Sequence, residues 1–122
     1  LSRAQSLAEE FGPFATSVAW NDVTTAMNGA ALLVNTTMLG MTGQSDLDID
    51  LTNLPISAVV NDIVYSPLET TLLYKAKMRG NKIVDGLGML LHQARPGFAA
   101  WFGKEPEVSQ NLRAHILTDL SA

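Results

Sequence analysis

The sequence predicts an α/β fold built on a parallel sheet, and three observations carry that expectation. Helical and strand-like segments alternate along most of the 122 residues before two helical patterns end the chain. The apolar runs at 30–34 and 58–65 lack the polar alternation of a half-exposed strand and suit strands covered on both faces. Finally, Ile83-Val84-Asp85-Gly86-Leu87-Gly88 joins a β-branched run to a helical pattern through an acid and two glycines, the signature of a strand turning tightly into a helix.

The elements follow in order. Leu1, Ala4, Leu7, Ala8 and Phe11 recur at helical spacing, and Gly12-Pro13 ends the pattern, so 1–11 is expected to be an amphipathic helix. Ser17-Val18-Ala19-Trp20 is a short strand candidate. Asn21 and Asp22 can cap a brief helix that stops at Asn28-Gly29. Residues 40–55 read as a loop in which Asp46, Asp48 and Asp50 alternate with Leu47, Ile49 and Leu51. A calcium loop counted from Asp46 needs Gly where Leu51 stands and Glu where Ser57 stands, so a solvated edge over packed leucines is expected instead.

After the 58–65 strand, a helix from about Leu68 to Arg79 turns Leu72, Leu73 and Ala76 inward and ends at Gly80. Lys75, Lys77, Arg79 and Lys82 lie near its end, where cations complement the helix dipole. In the next helix Leu87, Leu90, Leu91, Ala94, Phe98, Trp101 and Phe102 form one stripe expected to bury. Arg95-Pro96-Gly97 predicts a kink or an early stop, because proline removes a donor and clashes one turn back. Gly103 closes that helix; Pro106 opens another, with Val108, Leu112, Ile116 and Leu120 on its buried side.

Composition narrows the function. Eight basic against twelve acidic residues give a net charge of -4 and no basic stripe, which disfavours nucleic acid as a partner. Without cysteine, no disulfide and no thiolate metal site can form. No apolar run reaches bilayer length and the N-terminus lacks a secretory layout, so a soluble, cytoplasmic protein with no membrane partner is expected. The chain starts at Leu1 in what reads as mid-helix, and a cut piece of something longer is expected.

Open parallel sheets bind ligands beyond the carboxyl ends of their strands. Three such ends carry polar or glycine-rich residues: Asn35-Thr36-Thr37 with Gly40, Asp62 to Tyr65, and Asp85-Gly86. That rim, and neither histidine, is the expected site. On a helix Gly86, Met89 and Gln93 share one side; either they face a cleft, or Gln93 is solvated and the glycines cap and pack. His92 points elsewhere and reads as a surface histidine, as does His115. Asp62 and Asp85 are expected to accept from nearby backbone donors, and Trp20, Tyr74 and Trp101 to pack in the core or rim.

Asp85-Gly86-Leu87-Gly88-Met89-Leu90 followed by Gln93-Ala94 resembles the C-terminal signature of shikimate dehydrogenase, and the upstream pieces agree in order and spacing. The resemblance implies part of a Rossmann-like, doubly wound parallel sheet with two C-terminal helices. Residues 1–85 would be the second half of an NADP-binding domain, and 86–122 the helices that close the cleft and pack toward a substrate domain absent from this sequence. It also implies reversible reduction of 3-dehydroshikimate by NADPH, without metal, in aromatic amino-acid biosynthesis.

By that resemblance Thr37, Ile63, Gly86 and Met89 border the cofactor, while Tyr65 and Gln93 contact substrate hydroxyls. The family's usual form of the stretch at 34–41 has Ala at Thr36 and Ser at Met38, so Thr37 alone is carried over from it. Leu1-Ser2-Arg3-Ala4 resembles the end of the family's Asn-Arg-Thr-x-x-Arg-Ala stretch, which makes Arg3 a candidate for the NADP 2'-phosphate; otherwise it is a solvated arginine. No G-x-G-x-x-G follows a strand, and the family's catalytic Lys and Asp belong to the substrate domain. The chain alone is therefore expected to be inactive. A half-domain leaves an unpaired edge and uncovered apolar surface, so self-association is expected. The alternatives are an NAD-preferring quinate/shikimate dehydrogenase and a non-catalytic Rossmann-like interaction module.

Overall fold

Strand β1 (Leu32–Asn35), β2 (Val59–Asp62) and β3 (Lys82–Val84) form a three-stranded sheet in which both pairings are parallel. Leu32 registers with Val59, and Val59 with Lys82, so the three carboxyl ends emerge on one edge. The computed structural model describes residues 2–120. Around the sheet lie α1 (Ser2–Phe11), α2 (Val23–Ala26), α3 (Thr71–Arg79), α4 (Gly86–Phe102) and α5 (Gln110–Leu120).

The core sits between the sheet and one covering layer. Leu72, Leu73 and Ala76 of α3 bury against Val60 and Ala58, as their spacing predicts. No helix joins β1 to β2. Segment 36–58 instead sends Leu47, Ile49, Leu51 and Leu54 into the same core while Asp46, Asp48 and Asp50 stay outside. Helix α3 starts three residues later than the apolar pattern indicates, at the Thr70 cap whose side chain accepts from the Leu73 N–H. Gly80 ends it in the left-handed region, and the cations near that end are engaged locally: Lys75 with Asp48, Lys77 with Glu69, Arg79 with the Leu54 carbonyl.

Several expectations fail, and for the apolar stripes the reason is that a patterned face buries only where something covers it. Residues 17–20 form no strand; Trp20–Asp22 is a 3-10 turn, and among the described residues these backbone groups find no ladder partner. Asp22 stands at the start of α2 without a side-chain cap bond. Strand β1 is covered on one face only, with Asn35 buried but Leu32 56% exposed. Helix α1 buries no residue.

The α4 stripe buries at its first turn and then emerges, leaving Ala94, Phe98, Trp101 and Phe102 exposed. Trp20 and Tyr74, read as packing residues, are also more than half exposed. Helix α4 runs through Pro96 without a stop, although Pro96 has no N–H to give the His92 carbonyl. Next to it the Arg95 guanidinium crosses to Glu105 and to the Pro106 carbonyl. Pro106 thus belongs to the loop, and α5 begins later, behind a Ser109 hydroxyl that accepts from the Leu112 N–H. None of the helices among the described residues is long and apolar enough to cross a membrane.

Candidate functional site

The strand tips build a cleft of about 500 Å³ lined by Thr36, Thr37, Met38 and Met41 on one wall and by Ile63, Tyr65 and Ser66 on the other. Each wall leaves the sheet through a buried polar residue. Asn35 is 3% exposed at the end of β1 and Asp62 fully buried at the end of β2. The Asn35 amide nitrogen donates to Asp62 Oδ1 at 3.0 Å and to the Leu39 carbonyl at 3.0 Å. Asn35 Oδ1 accepts from the Thr37 N–H and from Thr37 Oγ1, an Asx-type turn that sets the first wall.

Asp62 sets the second wall. Its Oδ1 also accepts from the Val64 N–H at 3.0 Å, and its Oδ2 accepts from Thr70 Oγ1 at 2.7 Å, so both carboxylate oxygens are engaged. At the mouth the Thr42 N–H donates to the Ser66 carbonyl at 2.9 Å.

Asp85 caps α4 by accepting from the Leu87 N–H, and its second oxygen pairs with Arg113 of α5 at 2.6 Å, a contact that no sequence spacing signals. Gly86 lies where a Cβ would collide with the Ile63 and Val64 carbonyls, which ties the start of α4 to the floor of the second wall. Gly88 faces open space, so the two glycines are not equivalent.

Of the residues picked from the sequence, Thr37, Ile63 and Tyr65 meet in the cleft, and Gly86 packs directly beneath it. Met89 and Gln93 are exposed on α4, outside the lining; Arg3 is exposed on α1. Met38, Met41, Thr42 and Ser66 line it without having been singled out. Asn35 was legible only as a strand end and Thr70 not at all, because nothing in sequence spacing ties position 35 to 62 or 62 to 70. Both Asp62 and Asp85 do accept backbone donors.

A larger concavity, about 650 Å³, lies beside α3 between Asp48, Tyr74, Lys75 and Arg79. Its cations are already paired, and it lies away from the strand tips. In its lining Asp50 is held below the ordinary aspartate value because the Thr52 hydroxyl and N–H both donate to its carboxylate. The strand-tip cleft combines apolar contact from Met38, Met41 and Ile63 with the hydroxyls of Thr42 and Ser66.

Comparison with known proteins supplies a family. Residues 86–110 match the family model described as the shikimate 5'-dehydrogenase C-terminal domain. A shikimate dehydrogenase (NADP(+)) of Paramagnetospirillum magneticum is 61% identical over 116 residues, 95% of this chain and 42% of the relative. The chain belongs to the shikimate dehydrogenase family. A second such relative, from Rhodopseudomonas palustris strain TIE-1, is 55% identical over 99% of this chain and 44% of its own length.

Among solved structures, a quinate dehydrogenase from Corynebacterium glutamicum in complex with NAD superposes with a TM-score of 0.80 at 33% identity, over 96% of this chain and 43% of that one. A Thermus thermophilus shikimate 5-dehydrogenase in complex with NADP(H) and shikimate gives 0.73 at 35% identity, over 87% of this chain and 38% of that one. This member of the shikimate dehydrogenase family therefore spans less than half the length of the relatives it matches, and its Rossmann-like neighbours agree with the parallel sheet.

Proposed function

We propose that this chain supplies part of the cofactor half of an NADP-dependent shikimate dehydrogenase, which interconverts 3-dehydroshikimate and shikimate. Residues 1–85 serve as the second half of the Rossmann-like domain, and 86–122 as helices that close its cleft. The observation that carries the proposal is the strand-tip cleft, where Thr37, Ile63 and Tyr65 converge over Gly86. Names of relatives that share more than half of its residues support the chemistry.

NADPH supplies the hydride when bound. Ile63 and Met89 would give the nicotinamide an apolar border, Thr37 and Gly86 would lie beside the cofactor, and Arg3 would pair with the 2'-phosphate. The Tyr65 phenol and the Gln93 amide hold substrate hydroxyls, since an amide can donate and accept at once. No catalytic acid or base is assigned among residues 1–122. The isolated chain accordingly has no turnover, and it self-associates through its uncovered apolar faces.

The test is a chimera in which this chain replaces the matching segment of the Paramagnetospirillum magneticum relative. It is expected to oxidise shikimate with NADP, while the free chain does not. A folded but inactive chimera would sink the assignment, and turnover by the free chain would sink the inactivity. Likeness to the NAD-bound quinate dehydrogenase favours one second reading, an NAD-preferring quinate/shikimate enzyme. Arg3→Ala decides between them: a raised KM for NADP alone supports the first, no change in either cofactor's KM the second.

A further inference from the structure

The buried polar residues beneath the cleft have no part in the proposed chemistry, and their bonding is unusually complete. Asn35 uses both of its amide hydrogens and accepts twice at Oδ1, so its side chain has no free orientation. Asp62 accepts three hydrogen bonds at zero exposure, a placement that is costly for a carboxylate unless every lone pair facing the protein is used. The first wall hangs from Asn35 through Thr37 and Leu39; the second hangs from Asp62 through Val64 and, at its far end, Thr70. The Asn35 amide joins these two sets at Asp62, the Ile63 N–H donates to the Asn35 carbonyl beside it, and at the mouth Thr42 bonds Ser66 through the backbone and through the two hydroxyls.

We infer that Asn35 and Asp62 are positioning residues whose mutual hydrogen bond clamps the walls at 36–42 and 63–66 to each other, so that the cleft is set before a ligand enters. Its value to catalysis rests on the dehydrogenase assignment above, because it fixes Thr37 relative to Ile63 and Tyr65. The clamp itself is a property of the chain. Networks of this kind are cooperative, so damage on one wall reaches the other.

Amide hydrogen exchange on the full 122-residue chain tests it. Asn35→Asp keeps the acceptor for Thr37 but loses both donations and sets a second carboxylate against Asp62. Exchange at the Thr42 and Val64 amides is expected to accelerate by about tenfold or more, and at the β2–β3 ladder by less than about threefold.

Thr70→Val provides an independent arm: it removes one Asp62 donor without touching Asn35, and should still loosen the Thr42 amide, whereas Thr70→Ser should not. Uniform acceleration, no acceleration, or an unprotected Thr42 amide in the unsubstituted chain each overturns the clamp. If Asn35→Asp unfolds the chain, an unmoved Thr42 amide in Thr70→Val overturns it. Exchange is blind to turnover, so the clamp and the dehydrogenase assignment fail separately.

Discussion

Helices α3 and α4 carry apolar residues at the same helical spacing, yet they end in different environments. Nine-residue α3 buries Leu72, Leu73 and Ala76, while seventeen-residue α4 buries only Gly86 and Leu87, at its first turn. The difference lies in what faces each stripe. Helix α3 lies on β2 and β3 with segment 47–54 beside it; α4 leaves the sheet after one turn and meets α5 alone. An amphipathic stripe states a demand for a partner, and the rest of the fold decides whether it is met. The exposed Phe98, Trp101 and Phe102 are thus the counterpart of Leu72 and Leu73 without a cover.

The largest effect should come from emptying the covered stripe. Leu73→Ala is expected to cost about 2–5 kcal/mol in urea unfolding, whereas Trp101→Ala, at a residue 80% exposed, should cost under about 0.5 kcal/mol. Equal losses at the two sites would remove the contrast. Gly86→Ala comes next, at roughly 1–3 kcal/mol, because its methyl meets two carbonyls; Gly88→Ala should be neutral or slightly stabilising, as its surroundings are open.

Removing the cap at the start of α4 with Asp85→Ala should cost about 1 kcal/mol, and Arg113→Met somewhat less, since that ion pair is partly exposed. Light scattering examines the uncovered face from another side: Trp101→Lys should weaken self-association while leaving the unfolding midpoint in place. A strictly monomeric parent chain at high concentration would remove the basis for that prediction.

The smallest effect concerns pH. Because Asp50 has a lowered pKa in the folded chain, its contribution to stability is complete above the ordinary aspartate value, about 3.9, and fades as pH falls through the folded value. Asp50→Asn should therefore lower stability slightly at neutral pH, leave it unchanged at the lowest pH, and so flatten the acid limb of the profile. A loss of the same size at every pH would contradict the assignment.

Local patterns carried the elements whose partners lie within the same chain. The α3 stripe and the strand-glycine-helix turn at 83–88 read correctly because period and glycine placement answer to backbone sterics, while the 58–65 run held a strand only over 59–62 and its last three residues turn out to form the cleft wall. Residues 17–20 and 106–109 misread because a short apolar run and a lone proline each fit more than one backbone. In the cleft, Thr37, Ile63 and Tyr65 were legible from a family resemblance, whereas Asn35, Thr70 and Arg113 were not.

By itself, then, the amino-acid order determined a parallel α/β chain with its polar strand ends on one rim, since strand and helix periods are written residue by residue. Only the tertiary structure decided which apolar faces are covered and that Asn35 meets Asp62 across 27 positions of sequence. Burial and buried hydrogen bonds depend on the three-dimensional register of β1 against β2, and no local pattern encodes that register.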